Sequence, residues 1–322
     1  MNILPTPRVP DPHTGPALRW GILAPGGIAT SFVHALRTHT NQRVVAASSR
    51  SLERAQQFAA AFGIDRAYGS YEQLVSDAEV DAVYVASPHS EHCYQTLLAL
   101  QAGKHVLVEK SFARNATEAR EMIAAAKAAD RTLMEAMWTR FLPRHDIVRQ
   151  LLEAGTLGEL LAVIADHGQN AIHVDRLRDP KLAGGSLLDL GIYPISFANF
   201  ALGAPEKILA TGVVLDSGVE GQISLCCDGY ARHPRAQSVL NTSMLVKTPT
   251  TAVICGTKAR IELDGDFYTP GTVRLVYPDG TALTSPPPQI IGHQGLCHEA
   301  VHFARLVAEG RRESPWLPLA ES

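Results

Sequence analysis

From Leu18 onward, short apolar runs rich in β-branched residues alternate with stretches of helical period, the pattern of parallel βαβ units. The runs predict strands at Arg19 to Leu23, Arg43 to Ser48, Ala82 to Ala86, His105 to Glu109 and Thr132 to Met137. The helices between them carry their own start and stop signals. Ser51 precedes Leu52 to Phe62, and Gly63 follows it. Ser70 and Gln73 form a capping box, Ser90 leads towards Gly103, and Thr117 opens an Ala-rich run ending near Ala129. These elements predict a doubly wound parallel sheet over residues 19–140.

After Arg140 the pattern changes. A helix from Arg144 to Glu153 stops at Gly155. Strand-like segments follow at Leu160 to Asp166, Ile208 to Leu215, Gln222 to Asp228, Ser238 to Lys247, Thr251 to Cys255, Ala259 to Leu263 and Val273 to Tyr277. Asp264-Gly265, Pro270-Gly271 and Asp279-Gly280 separate the later ones as turns. Several segments alternate polar and apolar residues, which predicts a large, mostly antiparallel open sheet with one face covered by helices. The helices expected in this half are Ser186 to Leu202 and Gly295 to Glu309. The chain thus reads as an α/β protein: a proline-rich tail or arm over 1–18, a doubly wound domain over 19–140, and an α+β domain over 141–322.

Composition narrows the function without naming it. The 322 residues are 46% hydrophobic and 19% charged, and the formal net charge is −3, which excludes a disordered chain and gives nothing to attract nucleic acid or an anionic membrane. Five cysteines, at 93, 226, 227, 255 and 297, form no zinc-ligand spacing and read as reduced thiols of a cytoplasmic protein. No metal site is expected. The most apolar stretch, Leu187 to Leu202, contains Asp189, Pro194 and Asn199, so no membrane span is predicted. Residues 1–17 hold five prolines and lack the apolar core of a signal peptide.

The first strand runs into Ala24-Pro25-Gly26-Gly27-Ile28-Ala29, where a dinucleotide-binding turn would place G-x-G-x-x-G/A. The pyrophosphate-approach glycine falls at Gly26 and the helix-packing residue at Ala29, but Ala24 replaces the turn glycine. A helix starting at Ile28 would offer unpaired amides to a diphosphate, with Gly27 beside it. The second strand ends in Ser49 and Arg50, with Arg54 one turn on, where an NAD enzyme carries a carboxylate for the ribose. A guanidinium there suits a 2′-phosphate, which favours NADP(H). The fourth strand ends in Ser87-Pro88-His89-Ser90-Glu91-His92 and the fifth in Glu109-Lys110-Ser111. Both lie at carboxyl ends that face the ligand crevice of a Rossmann sheet.

These last segments resemble the glucose-fructose oxidoreductase, inositol dehydrogenase and rhizopine-catabolism (Gfo/Idh/MocA) superfamily, whose Glu-Lys-Pro motif reads Glu109-Lys110-Ser111 here. Met134 to Pro143 and Leu182 to Pro194 resemble its branch containing dimeric dihydrodiol dehydrogenase and NADP-dependent D-xylose 1-dehydrogenase. The resemblance runs from Arg19 to the last residue, which falls where members continue into a final helix. It implies catalytic roles for Lys110, Asp189 and Tyr193, and Trp138 as an aromatic wall beside the nicotinamide.

The chemistry can be argued beside the resemblance. Asp189 and Tyr193, four apart on one expected helix, would share a face. A phenol is a poor base at neutral pH, but a nearby ammonium such as Lys110 favours its ionised form. Tyr193 would then take the hydroxyl proton as hydride leaves, with Lys110 and Asp189 orienting the oxygen. His89 is a candidate for the nicotinamide ribose, and His92 for cofactor binding. His167, Asn170 and Arg176 could meet a polyhydroxylated substrate. The expected activity interconverts an alcohol and a carbonyl or lactone on a sugar or cyclic diol. A ketoreductase of a nucleotide-linked or antibiotic sugar, and a non-catalytic dinucleotide-sensing regulator, are the alternatives. One-sided strands in the second half predict a homodimer or larger even oligomer.

Overall fold

The computed structural model describes residues 3–322, so the first two positions of the expected tail lie outside the described residues. By contacts the chain forms two units, one of residues 9–141 and 292–322, the other of residues 3–8 and 142–291. Expectation put one contiguous second domain after Arg140. The break does fall there, but the last 31 residues group with the nucleotide-type unit.

The first unit contains β1 (Arg19–Leu23), β2 (Arg43–Ser48), β3 (Arg66–Tyr68), β4 (Ala82–Val85), β5 (His105–Glu109) and β6 (Leu133–Ala136). All pairs are parallel, in the order β3-β2-β1-β4-β5-β6. That order reverses between β1 and β4, which creates the switch point of a Rossmann sheet. Beside it Phe32 stacks on Tyr84 at 3.8 Å and meets Trp20 edge-on at 5.6 Å, and all three rings are buried. Trp20 also packs on Phe303 of the helix Leu296–Ala308, one reason the chain's last segment belongs to this unit. Leu133 N–H reaches the Arg312 carbonyl at 3.0 Å, and Leu319 joins the core.

The cap signals hold in detail. The Ser51 hydroxyl accepts from the Arg54 amide, the Ser70 hydroxyl accepts from Gln73, and Gly63 ends its helix at φ +54°. Two differ: Ser90 sits in the short 3₁₀ turn His89–Glu91 and does not cap the helix His92–Gln101, and Asn115, not Thr117, caps the helix Ala116–Ala129, because its carboxamide oxygen accepts from both Thr117 and Glu118 amides. Strand β3 was not expected; three residues are too few for a period of two to register.

The second unit holds β7 (Leu160–Gly168), β8 (Lys207–Val214), β9 (Glu220–Asp228), β10 (Gln237–Ser243), β11 (Ala252–Gly256), β12 (Arg260–Leu263), β13 (Arg274–Val276) and β14 (Ala282–Thr284). They form one sheet ordered β14-β13-β12-β11-β7-β10-β9-β8, antiparallel except for β7 with β10. β14 was missed for the same reason as β3. β10 stops at Ser243, four residues before the expected end, where the Ser243 hydroxyl turns the chain by accepting from Leu245 N–H.

The described part of the N-terminal segment is neither a free tail nor an arm extended away from its own chain. In the second unit, Arg8 donates its backbone N–H to the buried Asp146 at 2.6 Å, and Gln150 donates to the Thr6 carbonyl. In the first, Asn41 donates to the His13 carbonyl, and a Cβ on Gly15 would meet Val301 at 2.6 Å.

Candidate active site

In the first unit the turn after β1 keeps the backbone of the fingerprint without its first glycine. Ala24 sits at φ +57°, and its amide donates to the Ser48 carbonyl at 3.0 Å. An L-residue pays about 1–2 kcal/mol in that region. Gly26 caps the helix Gly27–His39, so the helix begins one residue before the expected Ile28, which is half-buried. A Cβ on Gly26 would come no nearer than 4.0 Å to another atom, and one on Gly27 would meet nothing. Packing within the protein therefore does not require these glycines. They keep open the space over a helix N-terminus that a diphosphate would fill.

Beyond β2, Ser49 is buried and its hydroxyl accepts from the Ser51 amide at 3.3 Å. Arg50 and Arg54 are exposed. Burial raises the pKa of the neighbouring Tyr71 phenol, and both guanidinium charges oppose that shift. Beyond β4, the Ser87 hydroxyl is buried without a hydrogen-bond partner. Pro88 is half-buried, and its carbonyl accepts from Glu91 N–H. His89 is 5% exposed and packs edge-on with His92. The open glycine turn, the paired arginines and the orphaned Ser87 hydroxyl fit a phosphorylated dinucleotide.

His92 departs from expectation. It is fully buried, with ring nitrogens 2.8 Å from the Ser111 carbonyl and 2.9 Å from the Ser87 carbonyl, so its ring faces the protein interior and not a cofactor surface. Glu109 is likewise committed: the Tyr84 hydroxyl donates to one oxygen and the Lys110 amide to the other. Lys110 is half-buried at the strand end, before a cis peptide bond to Ser111. Trp138 is only 3% exposed and lies parallel to His293, with ring centroids 5.6 Å apart.

In the second unit the expected single helix over 186–202 is two pieces, a wide π-type turn at Leu187–Gly191 followed by the α-helix Ile192–Leu202. Asp189 lies in the π-type turn and Tyr193 in the α-helix that follows it, so the two are not on one regular α-helix. Asp189 is instead paired with Arg176, at 3.2 and 3.3 Å. The wide turn is held from several sides. His167 donates from Nδ1 to the Leu190 carbonyl at 3.1 Å, the Thr242 hydroxyl donates to the Ser186 carbonyl, and Glu220 accepts from Leu187 N–H. Gly184 allows the chain to close on itself, because a Cβ there would meet the Leu177 carbonyl at 2.5 Å.

Tyr193 is 8% exposed and its ring contacts His167 and Tyr268, at centroid distances of 5.1 and 4.7 Å. His167 stacks on Tyr268 at 4.4 Å. Since His167 Nδ1 must carry the proton it gives to Leu190, Nε2 is the acceptor for the Gln169 amide at 3.0 Å. The same amide donates to the Tyr268 hydroxyl at 2.9 Å. Burial, reinforced by the charge of Asp266, pushes the Tyr268 phenol up to about 12. The Arg144 guanidinium, itself buried, donates to the Thr269 and Thr272 carbonyls and so fixes the loop that carries Tyr268.

His167 is buried, with its ring against Tyr193 and both ring nitrogens hydrogen-bonded within the protein, while Asn170 and Arg176 are exposed. Tyr268, Gln169 and His293 were missed. The only local signal was an aromatic residue between the Asp264-Gly265 and Pro270-Gly271 turns.

A Rossmann unit joined to an open sheet carrying a buried tyrosine cluster defines a dinucleotide-dependent oxidoreductase. Comparison with known proteins makes the assignment specific. Residues 18–137 match the GFO/IDH/MocA model described as an oxidoreductase family with an NAD-binding Rossmann fold, and residues 145–262 match the GFO/IDH/MocA C-terminal domain. The chain is 39% identical to the mouse trans-1,2-dihydrobenzene-1,2-diol dehydrogenase over 95% of its length and 93% of the relative's. It is 38% identical to the human enzyme of that name over the same shares. Among solved structures, a 3-ketoreductase from Actinomadura kijaniata in complex with NADP and TDP-benzene superimposes with a TM-score of 0.81 at 27% identity, covering 94% of this chain and 93% of that one. An aldose-aldose oxidoreductase from Caulobacter crescentus complexed with glycerol gives 0.83 at 27%, covering 95% and 93%. The chain belongs to the GFO/IDH/MocA oxidoreductase family, in the dihydrodiol dehydrogenase branch.

Proposed function

We propose that this protein is an NADP(H)-dependent dehydrogenase that interconverts an alcohol and a carbonyl or lactone on a sugar or cyclic diol. The observation that carries the reading is Tyr193. Its ring is buried against His167 and Tyr268, in a chain 39% identical over 95% of its length to a dihydrodiol dehydrogenase. Arg50 and Arg54, in place of a ribose-binding carboxylate, support NADP(H) over NAD(H).

When bound, the nicotinamide supplies the hydride acceptor or donor. Gly26 and Gly27 admit the diphosphate to the helix N-terminus, and Ser49, Arg50 and Arg54 hold the 2′-phosphate. Ser87, Pro88 and His89 line the ribose side. Tyr193 receives the hydroxyl proton during oxidation and returns it during reduction, while the Lys110 ammonium and the Asp189 carboxylate orient the substrate oxygen. Arg176 neutralises Asp189 and holds its carboxylate in place. The aromatic rings packed on Tyr193 suit the apolar face of a ring substrate.

A panel of aldoses, cyclic diols and ketosugars followed at the NADPH absorbance band, with NADH in parallel, tests this. Turnover favouring NADPH is expected. Tight NADPH binding without turnover of any member would replace the reading with that of a dinucleotide-sensing regulator. Activity confined to ketosugars on nucleotide carriers would select the ketoreductase reading, which the TDP-benzene complex of the structural relative motivates.

The outer sheet face supports a homodimer. Val253, Ile164, Val239, Cys226 and Leu209 lie in register across β11, β7, β10, β9 and β8. Ile164, Val239 and Leu209 are 52%, 49% and 76% exposed, a contiguous apolar row that a second copy would cover. The five cysteines are free thiols, which suits a reducing, cytoplasmic setting. No described helix is long and apolar enough to cross a membrane.

A further inference from the structure

His92 is the first residue of the helix His92–Gln101 and is wholly buried, yet the proposed chemistry gives it no task. Its two ring nitrogens reach carbonyls at two different strand ends. Ser87 lies two residues past β4 and opens the loop that continues into Pro88 and His89. Ser111 lies two residues past β5, directly after Lys110. Both partners are acceptors. A neutral imidazole carries one N–H and donates to one of them, whereas the imidazolium donates to both.

We propose that His92 is a positioning residue: by bridging the Ser87 and Ser111 carbonyls it fixes the spacing of the two loops and, through the second, the setting of Lys110. The proposal rests on the reading above that Lys110 is catalytic.

Three features support a positioning role over plain packing. A buried apolar ring of similar size would fill the space, but it would leave a strand-end carbonyl without the N–H that reaches it. β4 and β5 pair in register only as far as Val85 with Val108, so beyond that point the ladder no longer sets the distance between the chains. The loops so joined carry the orphaned Ser87 hydroxyl on one side and Lys110 on the other. Burial lowers the ring's pKa, the two carbonyls oppose that, and the Lys110 charge adds to the lowering. Glu118 on the following helix, whose carboxyl feels the His92 charge, and the His89 ring are the other titratable groups facing it.

The test compares His92→Phe and His92→Gln with the wild-type full chain by hydrogen exchange of the Ser87 and His89 amides and the 110–112 amides, NADPH titration by fluorescence, and kcat and KM on the best substrate from the panel. With the hydrogen bond of the ring N–H lost, exchange at the loop it holds should rise about tenfold in His92→Phe. A displaced Lys110 should lower kcat by about 100-fold, with KM changed much less. His92→Gln, whose carboxamide keeps N–H donors on a single nitrogen, should lie between. Wild-type exchange and wild-type kcat in a folded His92→Phe would overturn the proposal. If that variant does not fold, His92→Gln with exchange indistinguishable from wild type would overturn it instead. The exchange and NADPH measurements need no substrate, so a panel without turnover would sink the assigned function while still judging the staple.

Discussion

Gly26→Ser separates what the protein needs from what its cofactor needs. Gly26 is the N-cap of the helix Gly27–His39, at φ −131° and ψ −160°, an extended conformation open to any residue. A new Cβ would come no closer than 4.0 Å to another atom. Serine is the better cap by a few tenths of a kcal/mol, since its hydroxyl can accept an orphaned amide. The apo protein should therefore be unchanged or slightly more stable. The same Cβ and hydroxyl occupy the space a diphosphate would approach. Losing that close approach, at about 1.4–2.8 kcal/mol, weakens binding roughly 10- to 100-fold. At an NADPH concentration a hundredfold above the wild-type Kd, ligand stabilisation is about 2.7 kcal/mol, falling to about 1.4 for a tenfold loss and about 0.4 for a hundredfold loss. Thermal unfolding with and without NADPH, backed by calorimetric titration, reads both effects. A Kd within twofold of wild type would refute the argument. So would an apo protein destabilised by more than about 1 kcal/mol, which would mean that the glycine is required by the fold.

Other outcomes follow from the same geometry. Tyr193→Phe should abolish turnover while NADPH binding stays within a few fold; retained turnover would remove Tyr193 from the chemistry. Glu299 is buried without a hydrogen-bond partner, and burial, with Glu109 and Glu135 nearby, raises its pKa well above the ordinary 4.5. The folded state thus keeps a proton that the unfolded chain releases, so this group costs stability as pH rises above that value. Glu299→Gln should gain on wild type in denaturant titrations between about pH 5 and pH 8, and a pH-independent difference would contradict the assignment. If the exposed row is the proposed dimer interface, Leu209→Glu with Val239→Asp should give a monomer in light scattering at micromolar concentration where the wild type is a dimer. A wild-type monomer would already dismiss the interface.

Much of the first unit was legible because its signals are local. Ser51, Gly63 and Ser70 act through backbone groups a few residues away, and buried parallel strands announce themselves as uninterrupted apolar runs. The fingerprint turn was legible despite Ala24. Its left-handed φ could not be read, since the strain in one alanine is carried by the whole turn. The chemically interesting residues, Lys110, Asp189 and Tyr193, came from motif and resemblance; their surroundings did not.

The sequence by itself determined the alternation of strands and helices, the doubly wound sheet, the break near residue 140 and the residue types offered to a dinucleotide. Those depend on period, caps and composition, which act over a few residues. Only the tertiary structure decided that Asp189, within a π-turn, pairs with Arg176, that the His167 and Tyr268 rings pack on Tyr193, and that residues 292–322 return to the first unit. Each of these brings together side chains or segments remote in sequence, where burial and hydrogen-bond satisfaction in the assembled core outweigh any local preference.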